Sequence, residues 1–226
     1  MISHSHEAEI FKQRLGNFLK HAAKNIRTLK LAKNEQVYTC GDKNENIYYI
    51  ERGQIKLQMF SPAGKECLLA IYSAGDVFGE LCLAYAGERR ETATAMNETL
   101  LKIIPCSRFF LHLASGSLLE GFIKYLAMRI SDHHEMINNL VTADSEQRLG
   151  KTLLQLAGKA GRKSLKGIKF TYKITHEELS AMVGTTRPRI SKFMRRFRQL
   201  GLIVISADRF IVVKEKSLTD YLDQLN

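Results

Sequence analysis

The most constraining feature of the sequence is a segment near its end that combines a capping box, a glycine and a basic helix. Thr175 and Glu178 have capping-box spacing, so a helix is predicted to begin after Thr175. Gly184 interrupts the helical pattern where a tight turn needs a positive φ. Thr186 can cap a second helix, and Pro188 is tolerated in its first turn because amides there lack intrahelical partners. The pattern predicts a helix-turn-helix.

The second helix of this motif is amphipathic. Apolar residues at steps of three and four predict its buried face, which comprises Ile190, Phe193, Met194, Phe197 and Leu200. The opposite face is largely basic, as is typical of a recognition helix in the major groove of double-stranded DNA. The predicted DNA contacts are Thr185, Thr186, Arg187, Pro188, Arg189, Ser191, Lys192 and Arg195. Apolar runs at 202–205 and 210–213, joined by a four-residue turn, predict a two-stranded wing.

Positive charge is concentrated in the same part of the chain. The net charge is +11, and residues 145–226 carry 17 Lys and Arg against 7 Asp and Glu, or +10. Residues 1–144 carry only +1. This asymmetry favours two domains, the second with a polyanionic partner. A basic surface that is merely solvated is the alternative.

Residues 31–105 show short apolar runs separated by turn residues. The runs that predict strands are 36–40, 46–51, 54–60, 67–72 and 99–104. Regular spacing of this kind is typical of an antiparallel barrel or sandwich.

After Ser117 the period of the pattern becomes helical. Residues at alternating steps of three and four form the a/d seam of a coiled coil. They are the predicted dimer interface: Ile123, Leu126, Ile130, His133, Ile137 and Leu140. A helix packed on its own barrel would show the same stripe.

Together these patterns predict an α+β chain with an N-terminal antiparallel β-barrel (1–116), a long dimerisation helix (117–143) and a C-terminal winged helix-turn-helix domain (144–226). The N-terminus is polar, and His4 and His6 are predicted to lie in an unstructured end. Since no apolar run approaches the ~20 residues of a membrane span, we expect a cytoplasmic protein without a membrane partner.

Two segments carry a resemblance to a known family. Phe78-Gly79-Glu80-Leu81, followed by Arg89-Arg90-Glu91-Thr92-Ala93, resembles the phosphate-binding cassette of cyclic-nucleotide-binding domains. With the motifs at 183–187 and 190–192, the chain resembles the cyclic-AMP receptor protein family, also called CRP/FNR, from about Leu29 to Val213. The resemblance implies a jelly-roll-like effector-sensing barrel and a homodimer that regulates transcription at promoter DNA. It also implies RNA polymerase as a further partner.

The resemblance assigns roles within the cassette. Gly79 and Glu80 match positions that offer a backbone amide and a carboxylate to the cyclic phosphate and the ribose hydroxyl. Arg89 matches the arginine that pairs with the phosphate, for which a guanidinium fork is well suited. The implied effector-binding set is Gly79, Glu80, Leu81, Arg89, Arg90, Thr92, His133 and His134. The implied effector is an anionic cyclic nucleotide such as cyclic AMP, or a cyclic dinucleotide.

Three departures from the family pattern leave the effector open. Arg90 stands where cyclic-AMP sensors usually have Ser or Thr, and Glu91 adds negative charge near the proposed anion. His133 and His134 stand where those sensors present Thr and Ser to the adenine. Adjacent arginines favour a ligand with more than one phosphate, such as cyclic di-GMP.

Two alternatives remain for the effector domain. One is a vestigial pocket, in which Glu80 and Arg89 form an internal ion pair and the protein needs no effector. The other is a signal-binding adaptor that acts through another regulator. In the recognition helix, Arg187 and Lys192 match family DNA contacts, but Pro188 replaces the acidic residue that reads cytosine, so we expect a different operator.

The remaining chemistry-bearing residues predict neither a metal site nor an enzyme. The four cysteines lack zinc-site spacing and are predicted to be reduced, mostly buried thiols: Cys40, Cys67, Cys82 and Cys106. The N-terminal cysteine cluster of the iron-sulfur members is missing. A haem member would need axial ligands, for which His112 and His133 are candidates, although a lone histidine in an apolar stripe is usually structural. No nucleophile and base have the spacing of a catalytic motif.

Overall fold

The computed structural model describes residues 2–21, 26–84 and 87–225. The chain divides into two units, Met1–His133 and His134–Asn226. The division falls within one long helix, Leu119–Thr142. The predicted three-part division of the chain stays a prediction.

The described residues of the first unit form eight strands and the helices around them. Its elements are α1 (Ile2–His21), β1 (Arg27–Leu31), β2 (Gln36–Tyr38), β3 (Asn46–Arg52), β4 (Gln54–Phe60), β5 (Glu66–Ser73), β6 (Val77–Phe78), a 3₁₀ helix (Glu80–Leu83), β7 (Thr92–Ala95), β8 (Thr99–Pro105), α2 (Cys106–Ser115) and α3 (Leu119–Thr142). The predicted strands are present to within two residues at each end.

The strands form two antiparallel sheets of four strands each, in the orders β1-β8-β3-β6 and β2-β7-β4-β5. Tyr48, Ile50 and Leu101 from the first sheet pack with Ile55 and Ala93 from the second in one buried core. The predicted jelly-roll-like, antiparallel N-terminal domain is therefore confirmed.

The N-terminus differs from the prediction, because His4 and His6 lie within α1 rather than in an unstructured end. The reason is tertiary packing, since Phe11, Leu15 and Leu19 recur at steps of four and are buried in a second core of this unit. The ring of Phe11 lies 5.3 Å from that of Tyr125 on α3. A weakly apolar segment therefore folds as a helix against α3, which sequence alone did not indicate.

After the end of α3, the described residues of the second unit form four helices and one sheet. Its elements are α4 (Ser145–Ala160), β9 (Gly161–Ser164), β10 (Gly167–Phe170), α5 (His176–Val183), α6 (Arg187–Gln199), β11 (Ile203–Ile205), β12 (Ile211–Val213) and α7 (Glu215–Asp223). Asp144 caps α4 in a reciprocal capping box with Gln147. The predicted wing is present as β11 and β12, but it belongs to a four-stranded sheet in the order β11-β12-β10-β9.

The core of the second unit holds the helix-turn-helix in place. Leu179 and Val183 of α5 and Ile190 and Phe197 of α6 are buried in it. Leu200 was predicted on this buried face, but it is the residue after α6 and is 52% exposed. Within the part of the chain that the structure describes, no helix is long and apolar enough to cross a bilayer.

Candidate functional site

The cassette begins with a turn that only glycine suits. β6 ends at Phe78, and Gly79 adopts φ 82° and ψ 12° immediately before the 3₁₀ helix. A Cβ at Gly79 would lie 3.0 Å from Arg89 Nη1 and 3.1 Å from the Asn46 carbonyl oxygen. Glycine is thus required here both for the backbone conformation and for the close approach of Arg89.

Arg89 is buried beneath this turn and is only 3% exposed. Its Nη1 donates to the Gly79 carbonyl oxygen at 2.7 Å, and its Nη2 donates to Asn44 Oδ1 at 2.9 Å and also to the Asn46 carbonyl oxygen. The guanidinium carbon lies 4.3 Å from the ring centroid of Tyr38. Nε, by contrast, has no hydrogen-bond partner among the described residues. The site therefore holds a buried cation whose Nε donor is unused.

Glu80 pairs with Arg129 of α3. The vestigial-pocket alternative had instead expected an ion pair between Glu80 and Arg89. The Arg129 Nη2 to Glu80 Oε1 distance is 2.7 Å, and both side chains are 12% exposed. Arg129 Nη1 also donates to the Val77 carbonyl oxygen at 3.3 Å, and its guanidinium carbon lies 4.6 Å from the ring centroid of Tyr72. Glu80 Oε2 is buried, and no described residue donates to it.

Arg129 was not predicted as a site residue, because its partner Glu80 lies 49 positions away in the sequence. One feature of the sequence could have indicated Arg129. Arg129 stands between Leu126 and Ile130 of the predicted seam. An arginine so placed on a packed helix needs a carboxylate or carbonyl partner.

Glu91 is a second buried carboxyl group at the site. Tyr38 donates its hydroxyl to Glu91 Oε1 at 2.9 Å, while Oε2 has no donor within the described part of the chain. Burial raises the pKa of Glu91 above its ordinary value, and the hydrogen bond from Tyr38 partly opposes this. The negative charge expected near the effector is therefore disfavoured.

The other predicted effector residues lie at different depths. Thr92 is buried, and its hydroxyl accepts a hydrogen bond from the Cys40 amide at 3.2 Å. Leu81 and Arg90 are exposed, as are His133 and His134 on α3. The structure thus brings Gly79, Glu80 and Arg89 together, and the effector-binding roles of all eight residues stay predictions.

His112 and the four cysteines lie in different environments, which bears on the predictions made for them. His112 packs edge-on against Phe18, and its pKa is lowered by burial and by Arg108. The prediction of mostly buried thiols is wrong, because Cys40 and Cys67, both in the strand-rich region, are exposed; the other two cysteines are intermediate. Among the side chains that the structure describes, no three His, Cys, Asp or Glu residues converge as a metal site would require.

The turn of the helix-turn-helix has the predicted local chemistry. Thr175 Oγ1 accepts from the Glu178 amide at 3.1 Å, and Glu178 Oε2 accepts from the Thr175 amide at 2.8 Å. Gly184 ends α5 with φ 69°. Thr186 occupies the cap position of α6, but its side chain makes no capping hydrogen bond. His176 Nδ1 lies 2.9 Å from Ser191 Oγ, which ties α5 to α6.

The predicted DNA-contacting face of α6 is open to solvent. Of the eight predicted contacts, Thr185 and Ser191 are half-buried. The other six are exposed: Thr186, Arg187, Pro188, Arg189, Lys192 and Arg195. Arg196 is directed away from this face, because its Nη1 lies 3.4 Å from Glu146 Oε2 of α4.

The predicted seam on α3 is largely exposed. Ile123, Ile130, Ile137 and Leu140 expose 57, 55, 59 and 46% of their surface, whereas Leu126 packs partly against the core of the first unit. Large apolar side chains in such a row are expected to bury themselves against a partner.

Comparisons with known proteins agree with this architecture. Residues 28–114 match the cyclic nucleotide-binding domain family, and residues 147–221 match the Crp-like helix-turn-helix domain family. A CRP-like cAMP-activated global transcriptional regulator of Mycobacterium tuberculosis is 26% identical over 196 residues, which cover 86% of this chain and 88% of that protein.

Two solved structures share the fold. A CooA variant from Carboxydothermus hydrogenoformans has a TM-score of 0.75 and 24% identity, covering 89% of this chain and 90% of that one. The c-di-GMP responsive global regulator CLP of Xanthomonas campestris has a TM-score of 0.71 and 17% identity, covering 88% of this chain and 98% of that one. With both domain families matched in order along one chain, and with a full-length relative of the same kind, this protein belongs to the CRP/FNR family of DNA-binding transcription regulators.

Proposed function

We propose that the effector of this regulator is an anionic cyclic nucleotide or cyclic dinucleotide, bound by Gly79, Glu80 and Arg89. The observation that carries the proposal is the buried guanidinium of Arg89, whose Nε has no partner among the described residues. Its other two nitrogens are fixed by carbonyl oxygens, so Nε is oriented before a ligand arrives. A phosphate oxygen is a suitable acceptor for it.

The second half of the recognition is an acceptor for a hydroxyl group. Glu80 Oε2 is buried without a donor from the described residues, while Oε1 is occupied by Arg129. A ribose hydroxyl is a donor of the right kind for Oε2. Leu81, Arg90, Thr92, His133 and His134 complete the proposed contacts. The cAMP-activated and c-di-GMP responsive relatives support this ligand class.

The Glu80–Arg129 ion pair provides a physical link between effector binding and DNA binding. Arg129 lies on α3, one residue before Ile130 of the proposed dimer seam. A ligand hydroxyl on Glu80 Oε2 draws negative charge away from the oxygen that pairs with Arg129, so occupancy changes how strongly Glu80 holds α3. A ligand that binds two arrangements of the dimer unequally shifts the population between them.

The proposed output is the binding of a homodimer to promoter DNA in the cytoplasm. A dimer through Ile123, Leu126, Ile130, His133, Ile137 and Leu140 presents two recognition helices to half-sites about one DNA turn apart. Arg187 and Lys192 are the proposed central contacts. RNA polymerase is the proposed further partner at the promoter, and no catalytic activity is part of the proposal.

Calorimetric titration with cyclic AMP, cyclic GMP and cyclic di-GMP tests the effector. We expect micromolar binding of one ligand, and Arg89→Ala should weaken it by about 2 kcal/mol, or roughly 30-fold. Arg89→Lys keeps the buried charge but not the fork, and guards against a folding defect in the alanine variant. Arg90→Ala separates the ligands, since only a second phosphate needs it. Failure of all three ligands to bind wild type would favour the vestigial pocket.

A further inference from the structure

The end of the barrel where β1 begins and β8 ends contains a cavity. Strand register places Arg27, Ile103 and Tyr48 directly opposite one another on β1, β8 and β3. Leu29 lies two residues beyond Arg27 and therefore faces the same way. Val37 approaches from β2 of the facing sheet, and the cavity, which is open to solvent on one side, has a volume of about 400 Å³. This volume is within the range of small-molecule sites.

The lining of the cavity combines apolar walls with a basic mouth. Leu29, Val37 and Ile103 supply the walls and pack partly against the barrel core. Arg27 and Arg108 are exposed at its edge. None of the lining residues is acidic, and within the described ranges neither arginine forms an ion pair. Such a lining suits a ligand with an apolar body and one anionic group.

This cavity is separate from the cassette but touches its support. Gly79, Glu80 and Arg89 do not line it. Asn44 does, and its Oδ1 accepts from Arg89 Nη2 at 2.9 Å while its Nδ2 donates to the hydroxyl of Tyr48 at 2.7 Å. Tyr48 also lines the cavity, and the Arg89 guanidinium carbon lies 5.7 Å from its ring centroid. A molecule in the cavity would therefore contact two groups that hold Arg89.

We propose that this cavity is a second ligand site, which takes a small monoanion with an apolar ring or branched chain. The anionic group binds between Arg27 and Arg108, and the apolar body lies against Leu29, Val37 and Ile103. Occupancy shifts Asn44 and Tyr48 and so changes the position of Arg89. The consequence for effector affinity rests on the proposed function, whereas the site itself does not.

The test of the site uses the full-length protein and two probes of equal size, 2-naphthoate and its neutral analogue 2-naphthamide. We expect saturable binding of one naphthoate per chain by calorimetry. Naphthamide should bind at least about tenfold more weakly, because it forms no charge-assisted hydrogen bond. The double variant Arg27→Gln/Arg108→Gln should reduce naphthoate affinity to that of the amide. Lys30→Gln, an exposed cation elsewhere on β1, is the matched control and should leave it unchanged.

Val37→Trp tests the location, since an indole in the cavity should abolish binding of both probes. The site would be disproved by equal binding of acid and amide, by naphthoate binding that survives both changes, or by no saturable binding at all.

The link to Arg89 is read without any nucleotide, from the Nε–H signal of Arg89 in a ¹H–¹⁵N NMR spectrum. Its loss in Arg89→Lys assigns the signal. We expect naphthoate to shift it in wild type and not in the double variant. Naphthoate that binds without moving this signal would overturn the link while leaving the site. Because no cyclic nucleotide is present, neither result depends on whether the cassette binds one.

Discussion

The two units of this regulator use arginine in opposite ways. In the first unit Arg89 is buried and Arg129 is largely shielded from solvent, and the terminal nitrogens of both donate to carbonyl or carboxylate oxygens. On α6 of the second unit, Arg187, Arg189 and Arg195 project into solvent. A buried guanidinium stabilises the fold as well as binding a ligand, because its removal leaves its hydrogen-bond acceptors buried without donors. An exposed arginine has little role in folding, so its removal should affect the binding of its partner alone.

The largest expected effect falls on α3, which both units share. Ile130→Asp should convert the dimer to monomers, because two carboxylates would meet in an apolar seam. Neither the cassette nor α6 is altered, so DNA affinity should fall through loss of the second recognition helix. Sedimentation velocity measures the change, with the exposed off-seam substitution Ser131→Asp as control. Sedimentation of Ile130→Asp as an intact dimer would place the interface elsewhere.

The next effect is on folding. Arg89→Ala should lower the free energy of unfolding by about 3 kcal/mol, since buried carbonyl oxygens lose their donors. Arg195→Ala should change it by no more than about 0.5 kcal/mol, as is usual for an exposed side chain. Urea denaturation of both variants measures the difference. Equal midpoints would break the contrast between buried and exposed arginines.

Arginines at different positions along α6 should play different roles: one at its start recognises bases, and one near its end binds phosphates of any sequence. Arg187→Ala, near the helix start, should cost about 1–3 kcal/mol of discrimination between operator and unrelated DNA. Arg198→Ala should weaken both equally and reduce the slope of log K against log salt by about one. Fluorescence anisotropy over a salt series measures both quantities. If Arg187→Ala kept the wild-type preference, Arg187 would not read bases.

The smallest effect concerns the pH dependence of the first unit. Burial raises the pKa of Glu91, so the folded state holds this proton more tightly than the unfolded chain does. The resulting stability is present at low pH and is lost as pH rises from the unfolded pKa through the folded one. Glu80, Arg89, Arg129 and the hydroxyl of Tyr38 are the groups that act on it.

Glu91→Gln should therefore be more stable than wild type at pH 7.5 and closer to it at pH 4.5. Glu177→Gln, an exposed change on α5, is the control and should leave the pH profile unaltered. Urea titrations at the two pH values decide the point, and a Glu91→Gln profile parallel to wild type would contradict the sign.

Local signals made the second unit easier to predict than the first. The capping box at Thr175 and the positive φ at Gly184 act within a few residues, so the helix-turn-helix could be placed from sequence. By contrast, β7 is a run of Thr and Ala whose stability comes from its neighbours β2 and β4. Helix α1 likewise depends on packing.

In the candidate site, too, only the features that are local in sequence could be predicted. The resemblance indicated Gly79, Glu80 and Arg89 because the cassette is contiguous in sequence. It did not indicate that Glu80 pairs with Arg129, since that contact exists only after α3 packs against the barrel. Nor did it reveal that Asn44 and the Asn46 carbonyl hold Arg89.

The central claim is that an anionic ligand on Arg89 controls DNA binding, and one measurement tests it directly. Affinity for a duplex selected by wild type from a random pool is measured with and without saturating cyclic AMP or cyclic di-GMP. We predict that one ligand changes wild-type affinity by about tenfold, a typical coupling. The same concentration should leave Arg89→Lys unchanged. An equal response in the two proteins, or none in wild type to either ligand, would contradict the account.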